Sequence, residues 1–214
     1  KIPKNIYMCY KNLNVLERNV NKWKILNPEY ELKLYDDDMC KDFLIKEYNQ
    51  DAVDIFNFLK DGPIKADFWR ACILYKYGGV YADADIDPIL PLKMYIDEDD
   101  DFVTCISSNF NKYNPEWQFT PQLIVANKND SILKEVIDMY FRSYYSKKEY
   151  DYWSWSICKF MIIPGVNKKK SHILYKKNKK LKFLIETDFT KCKYNGKLVL
   201  YNKKNNYIYH DFID

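Results

Sequence analysis

The run Ile64-Lys65-Ala66-Asp67-Phe68-Trp69-Arg70-Ala71-Cys72-Ile73-Leu74-Tyr75-Lys76-Tyr77-Gly78-Gly79-Val80-Tyr81-Ala82-Asp83-Ala84-Asp85-Ile86-Asp87-Pro88-Ile89-Leu90-Pro91-Leu92 sets the fold, because the backbone pattern changes twice within it. From Lys65 to Tyr77 the apolar positions Phe68, Trp69, Cys72, Ile73, Tyr75 and Tyr77 are too many for one narrow stripe and predict a helix buried on more than one side. Gly78-Gly79 ends that helix with the left-handed geometry glycine permits. Val80-Tyr81-Ala82 predicts a short strand, and Asp83 and Asp85 follow one residue apart at its end. If the strand continues, both carboxylates project the same way and suit a hard divalent cation that also grips phosphate oxygens. Asp87 continues the same period, so spacing alone does not single out the pair. Asp67 and Arg70, at i and i+3, share a helix face, where a plain ion pair is worth roughly 0.2–0.5 kcal/mol.

Upstream, Ile2 to Tyr10 predicts a first strand beginning after Pro3. Asn14 to Leu26 predicts a helix capped by Asn14, with Val15, Val20, Trp23 and Leu26 on one face, and Glu31 to Tyr35 a second strand. Asp36-Asp37-Asp38 precede a helical pattern (Met39, Phe43, Leu44, Tyr48) and read as an acid-rich helix start rather than a metal site. A further helix is predicted over Ala52 to Leu59, closed by a Gly62-Pro63 turn. Downstream, Asp97 to Asp101 reads as a solvated acidic loop, Phe102 to Ile106 and Gln122 to Ala126 as strands, and Asn109 to Gln118 as a polar aromatic loop with Trp117. Ser131 is expected to cap a helix through Tyr144. Tyr152 to Phe160 predicts another helix, stopped by Pro164-Gly165, and Lys182 to Ile185, Leu198 to Tyr201 and Tyr207 to Tyr209 the last strands. The lysine-rich Asn167 to Lys180 reads as a flexible segment or small insertion. Strands separated by helices predict an α/β sheet with helices on both faces, in which ligands bind beyond the carboxyl ends of the strands. Asp83 and Asp85 fall at such an end.

The 214 residues, without a convincing linker, predict one domain over 1–214, with 167–214 as a lysine-rich C-terminal subdomain. A net charge of +4 is too small to imply nucleic acid, but it is uneven: thirteen lysines stand against four acids from Gly165 onward. Lys168-Lys169-Lys170 and Lys176-Lys177-Asn178-Lys179-Lys180 read as a solvated face, with contact to an anionic surface as the alternative; they lack the arginines and interleaved aromatics of a nucleic-acid groove. Arginine occurs only as Arg18, Arg70 and Arg142, which sets Arg70 apart. Six cysteines without a Cys-x-x-Cys pair predict a protein that works reduced, with disulfides of a secreted protein as the alternative. No run approaches the ~18 apolar residues of a membrane span. A cytoplasmic or peripheral location is expected, with loss of an N-terminal anchor and a lumenal location as the alternative.

The arrangement Lys65-Ala66-Asp67-x-x-Arg70-x-x-x-Leu74-Tyr75-x-x-Gly78-Gly79-Val80-Tyr81-x-Asp83-x-Asp85 resembles the signature of the DXD-motif sugar transferases. That group includes yeast initiating α-1,6-mannosyltransferases, bacterial capsular-polysaccharide transferases and the glucosyltransferase domains of clostridial toxins. Ile2-Pro3-Lys4-x-Ile6, Asn27-Pro28-Glu29-Tyr30 and Tyr35-Asp36-Asp37 extend the likeness. The resemblance implies a GT-A fold, a Rossmann-like mixed sheet flanked by helices, and a Mn²⁺ or Mg²⁺ ion between the acids and the diphosphate of a UDP- or GDP-sugar. It implies that Asp85 ligates the metal directly, that Asp83 contacts the donor's ribose or sugar and reaches the metal through water, and that Asp67 and Arg70 grip the transferred sugar. It also implies that Tyr81 lines the donor pocket. Tyr7 and Tyr10 stand where the family's first strand usually ends in His and Trp; a tyrosine there can still stack on a base, and the choice of base is left open. Gln122, on the strand where relatives place an amide facing the reacting sugar, is a candidate for stabilising positive character at the anomeric carbon; its plainer role is a strand-end hydrogen bond. His210, in Tyr209-His210-Asp211-Phe212, is a candidate third metal ligand, although the family's small-residue and Trp ending is missing; His172, amid lysines, is a weaker one.

The implied function is a metal-dependent retaining glycosyltransferase that moves a hexose from a nucleotide sugar to a glycan or protein hydroxyl, in polysaccharide biosynthesis or glycosylation. Two other classes stay open: a nucleotide-sugar or glycan-binding module that has lost transfer, and a metal-dependent phosphotransferase, against which stands the lack of a phosphate-cradling glycine loop. No carboxylate pair is assignable as acid and base in the glycosidase manner. Acceptor recognition is expected in Asn109 to Gln118 and Tyr150 to Trp155.

Overall fold

A computed structural model describes residues 1–12, 17–108, 119–161, 163, 173–188 and 190–202. The chain opens with strand β1 (Asn5–Cys9), helix α1 (Glu17–Leu26), β2 (Glu31–Tyr35), helices α2 (Asp37–Glu47), α3 (Gln50–Phe58) and α4 (Gly62–Tyr77), and β3 (Gly79–Ala82). It continues through β4 (Ile86–Pro88), β5 (Phe102–Ser107), β6 (Phe119–Ala126), α5 (Ser131–Tyr145) and the short α6 (Ile157–Phe160). Four strands follow: β7 (Ile173–Lys176), β8 (Lys179–Thr187), β9 (Lys191–Tyr194) and β10 (Lys197–Asn202). They form one mixed sheet in the order β2-β1-β3-β6-β5-β8-β9-β10-β4, with β7 beside β8.

Strand direction decides where a site can form. β1 runs parallel to β2 and β3, and β5 parallel to β8, while β6 runs antiparallel between β3 and β5. One edge of the sheet therefore gathers the carboxyl ends of β1, β3, β5 and β8 with the amino end of β6. Side chains alternate across the pleat. Tyr7, Tyr81, Ile124 and Phe183 face a layer built by α2 to α6. Ile6, Met8, Val80, Val125 and Leu184 face the opposite layer, built by Val20 and Trp23 of α1 with Cys192, Val199 and Leu200 of the curled strands. This mixed sheet flanked by helices is the architecture implied by the sequence.

Helix α4 is buried nearly all round: Phe68, Trp69, Ala71, Cys72, Ile73 and Leu74 have no exposed surface. Pro63 lies in its first turn, where the missing N–H costs nothing, so Gly62-Pro63 starts this helix rather than closing the previous one. Gly78 (φ 67°) and Gly79 (φ 117°) turn the chain into β3. A Cβ would come 2.7 Å from the Lys128 amide nitrogen at Gly78 and 2.8 Å from the Asn5 carbonyl at Gly79, so both close approach and backbone sign require glycine.

Asp36 caps α2 as its spacing predicts, accepting from the Met39 N–H at 2.9 Å. For α5 the cap is Asp130 rather than Ser131, with Oδ1 accepting from Ile132 and Leu133. The helix expected over Tyr152 to Phe160 divides into a tight turn at Trp153–Trp155 and α6, because Ser156 breaks the run and caps the second piece. Part of the lysine-rich segment is a hairpin: β7 pairs with β8 around Lys177 and Asn178, both at positive φ. The acidic loop is not merely solvated either: Asp100 is buried against Lys182, and Lys180 lies 2.7 Å from Asp99. Strands β4, β7 and β9 are additions to the expected set. Among the described residues no helix is long and apolar enough to cross a membrane, and all six cysteines are free. Asn14, Val15, Asn109 to Gln118, Pro164-Gly165, Lys168 to Lys170, His172 and Tyr207 to His210 lie outside the described residues.

Candidate active site

An irregularity in β6 frames the site. Its register against β5 shifts between the pairs Thr104↔Ile124 and Cys105↔Thr120, so Pro121, Gln122 and Leu123 form a bulge. A bulge withdraws backbone groups from the ladder and re-aims what it carries. Here the Pro121 carbonyl accepts from Arg70 Nη1 at 2.5 Å, the Gln122 carbonyl from the Asp83 N–H at 2.9 Å, and the Leu123 carbonyl from the Thr104 hydroxyl at 3.0 Å. The helix that precedes the acids and the strand that presents them are thereby fixed to the same three-residue segment.

Arg70 is the hub. Its Nη2 lies 3.2 Å from Asp67 Oδ1 and 3.2 Å from Asp83 Oδ1, its Nε donates to the Ala66 carbonyl, and its guanidinium stacks 4.2 Å from the centre of the Tyr81 ring. Asp67 spends its other oxygen on the Ile157 N–H (3.0 Å) and the Ser156 hydroxyl (3.3 Å), which ties α4 to the start of α6. The Tyr81 hydroxyl donates to Asp83 Oδ1 at 2.9 Å. Burial pushes the Asp83 carboxyl up to about 6, opposed by Arg70 and reinforced by the charge of Asp85. Burial also raises Asp67, against the pull of Arg70, Ile157 and Ser156. Such a buried ionic group is weak evidence for stability but holds its geometry firmly, since removing one partner costs ~3–5 kcal/mol.

The strand does not continue through the acids. β3 stops at Ala82, and the Ile86 N–H bonds the Asp83 carbonyl at 3.1 Å, closing a turn with Asp83 and Asp85 at its first and third positions. Both are half-buried, whereas Asp87 is buried on β4 and paired to Lys22 of α1 at 2.7 Å. That separates the third acid from the pair. Two partly open carboxylates on one turn, one destabilised by the charge of the other, fit a divalent cation shared with a diphosphate. The three-acid cluster Asp97, Asp99 and Asp100 has metal-compatible spacing, but Lys180 and Lys182 already neutralise it.

Tyr10 follows β1 at the same sheet edge, half-buried, its N–H bonded to the Tyr35 carbonyl. Tyr7 is packed between Tyr35 and Tyr77 with 2% exposure, so it is core and not free to stack on a base. The Tyr81 ring lies buried beneath Arg70, where it supports the guanidinium and orients Asp83. Gln122 is buried, and its Nε2 donates to Glu186 Oε2 at 3.0 Å. Sequence reasoning missed Glu186, whose only signal was an acid one residue past a predicted strand, and missed Ser156 and Ile157, which bind Asp67 from ninety residues away. His210 lies outside the described residues.

Residues 14–103 match the model of the glycosyltransferase sugar-binding region containing a DXD motif. The chain is 32% identical over 105 residues to an initiation-specific alpha-1,6-mannosyltransferase of Candida albicans, spanning 44% of this chain and 27% of that protein. It is 34% identical over 104 residues to a mannosyl phosphorylinositol ceramide synthase of Saccharomyces cerevisiae, again 44% of this chain and 27% of the relative. The matches thus span about a quarter of the relatives' length. Among solved structures, the PaToxG glycosyltransferase aligns with a TM-score of 0.46 at 18% identity, over 75% of this chain and 65% of that one. Over residues 14–103, therefore, the chain is similar to the sugar-binding region of the DXD-motif glycosyltransferases.

Proposed function

We propose that the protein is a metal-dependent glycosyltransferase that moves a hexose from a UDP- or GDP-sugar to a hydroxyl acceptor with retention of configuration. The observation that carries this reading is the junction of Asp83 and Asp85, on one turn, with Asp67 and Arg70 on the helix behind them. Asp85 and Asp83 would hold Mn²⁺ or Mg²⁺, with His210 as a candidate third ligand; the bound ion would offset charge developing on the departing nucleoside diphosphate. Arg70 fixes Asp67 and Asp83 relative to each other, so that hydroxyls of the donor sugar meet a preset pattern of acceptors and donors. Tyr10 would border the base at the end of β1. Gln122 would place an amide near the reacting carbon. The relatives named as mannosyltransferases favour mannose as the hexose and a glycan or glycolipid hydroxyl as the acceptor.

The acceptor would enter past Tyr150 to Trp155. Trp153 is half-exposed, and the segment is tied to Asp67 through Ser156 and to the start of α4 through the Tyr150 hydroxyl on Asp61. The exposed Lys176 and Lys177 on the β7–β8 hairpin would add a peripheral contact to an anionic surface, in keeping with a cytoplasmic or peripheral location. Mass-spectrometric product analysis with UDP- and GDP-sugars, with and without Mn²⁺, tests the reading. Metal-dependent sugar transfer or slow donor hydrolysis supports it. Donor binding without turnover would indicate a binding module, and transfer of phosphate a phosphotransferase.

A further inference from the structure

We propose that Glu186 is a positioning residue for the transfer step, its buried carboxylate holding the Gln122 amide so that the carbonyl oxygen is the end available to the reacting sugar. The inference rests on the glycosyltransferase reading above and extends it to a residue outside the matched region. Glu186 is the penultimate residue of β8, at the sheet edge that carries Asp83. Its backbone is held on both sides, opposite Ser107 of β5 and Cys192 of β9, and its carbonyl accepts from the Ser108 N–H at 2.8 Å. Gln122 is equally constrained, its carbonyl being bonded to the Asp83 N–H. Between two fixed backbones, the 3.0 Å bond from Gln122 Nε2 to Glu186 Oε2 leaves the amide little freedom.

The chemistry of the pair makes that orientation matter. A side-chain amide has a donor end and an acceptor end, while an ionised carboxylate, the form Glu186 takes above about pH 7, only accepts, so it can pair only with the nitrogen. The Gln122 oxygen, carrying the negative end of the amide dipole, is then the end left for a carbon that gains positive charge as the leaving group departs. The opposite flip would set N–H groups against that charge and reverse the sign of the interaction. Glu186 also lacks a structural justification of the usual kind. It is 4% exposed and forms no ion pair among the described residues. Burial pushes its carboxyl up to about 7, with the Thr120 hydroxyl working against the shift. A strand end that needed only packing would be better served by an apolar residue.

The test uses Glu186→Met and the smaller Glu186→Ala, so that misfolding of one leaves the other, together with Glu186→Gln, Gln122→Ala and the Gln122→Ala/Glu186→Met pair. Donor turnover and Mn²⁺-dependent binding of the nucleoside diphosphate are measured for each. Glu186→Met should lower kcat by about 30-fold or more while leaving KM and nucleotide binding within about 2-fold, and Glu186→Gln, which can still accept from Nε2, should recover most of the loss. The double variant should be no slower than Gln122→Ala alone, because both act through one amide. A wild-type protein that turns over donor, paired with an unchanged kcat in Glu186→Met or with additive losses in the double variant, overturns the positioning role alone. Absence of turnover by the wild type across the sugar-nucleotide panel overturns the transferase reading and this role with it.

Discussion

Lys182 Nζ lies 2.6 Å from Asp100 Oδ2, and neither side chain is exposed. The same ammonium reaches Asp97 at 2.7 Å and the Tyr95 carbonyl at 3.1 Å, so the acidic run after β4 is a clamp on β8. Lys182→Met should lower unfolding free energy by about 2–4 kcal/mol, because it leaves the buried Asp100 carboxylate with Lys180 alone, 3.2 Å away. Asp99→Ala, on the exposed arm of the cluster, should leave stability nearly unchanged. Urea titrations compare the two, and equal small effects would remove the clamp from the account.

The pH dependence of stability has a definite sign at Glu186. Its folded value, about 7, is above the ordinary 4.5, so the folded state holds this proton more tightly than the unfolded chain. The contribution is fully present below about pH 4.5 and is lost as pH rises through about 7. Glu186→Gln should flatten that fall and raise the melting temperature at pH 8 relative to wild type. A series of thermal melts from pH 4.5 to 8 reads the difference, and parallel curves for the two proteins would contradict the buried charge.

Asp83→Asn and Asp85→Asn should each reduce metal-dependent donor turnover by at least about 100-fold, while leaving the circular dichroism spectrum unchanged. Asp85→Asn should also abolish the rise in melting temperature produced by Mn²⁺ with a nucleoside diphosphate. Asp87→Asn provides the contrast: it breaks the Lys22 pair, so its effect should fall on stability rather than on metal response.

Arg70→Lys is expected to behave as a loss rather than a conservative change. One ammonium cannot span Pro121, Asp67 and Asp83 while stacking on Tyr81. A loss of about 2–4 kcal/mol in stability, with turnover reduced by about 100-fold, is expected from urea unfolding and donor hydrolysis. A variant within about 3-fold of wild type would show that the hub is dispensable.

The local parts of this architecture were legible because their causes are local. Glycine pairs, helix periodicity and the spacing of Asp67, Arg70, Asp83 and Asp85 are properties of contiguous chain, and β2 was readable to the residue. What escaped depends on pairing between distant strands. The β6 bulge exists only against β5, Glu186 matters only because β8 lies beside β5, and Lys182, read only as the start of a strand, gains its ion pairs when Asp97 and Asp100 are folded over it. Asp67 illustrates both sides: its partner three residues on is visible in the sequence, whereas its bonds to Ser156 and Ile157 require the helical layer to close. The third acid, Asp87, continued the period of the pair until the turn at Asp83 to Ile86 sent it to a different partner.

The bulge at Pro121 to Leu123 bears on how such a site can be moved between proteins. The stretch that matches the DXD-motif family model ends at residue 103 and contains both acids and Arg70, yet the carbonyls that receive Arg70 and the Asp83 amide come later in the chain. Cut out at those limits, the motif would keep its letters and lose its anchors. The recognisable segment is a signature, not a transplantable module, and a chimera would have to carry β6 along with it.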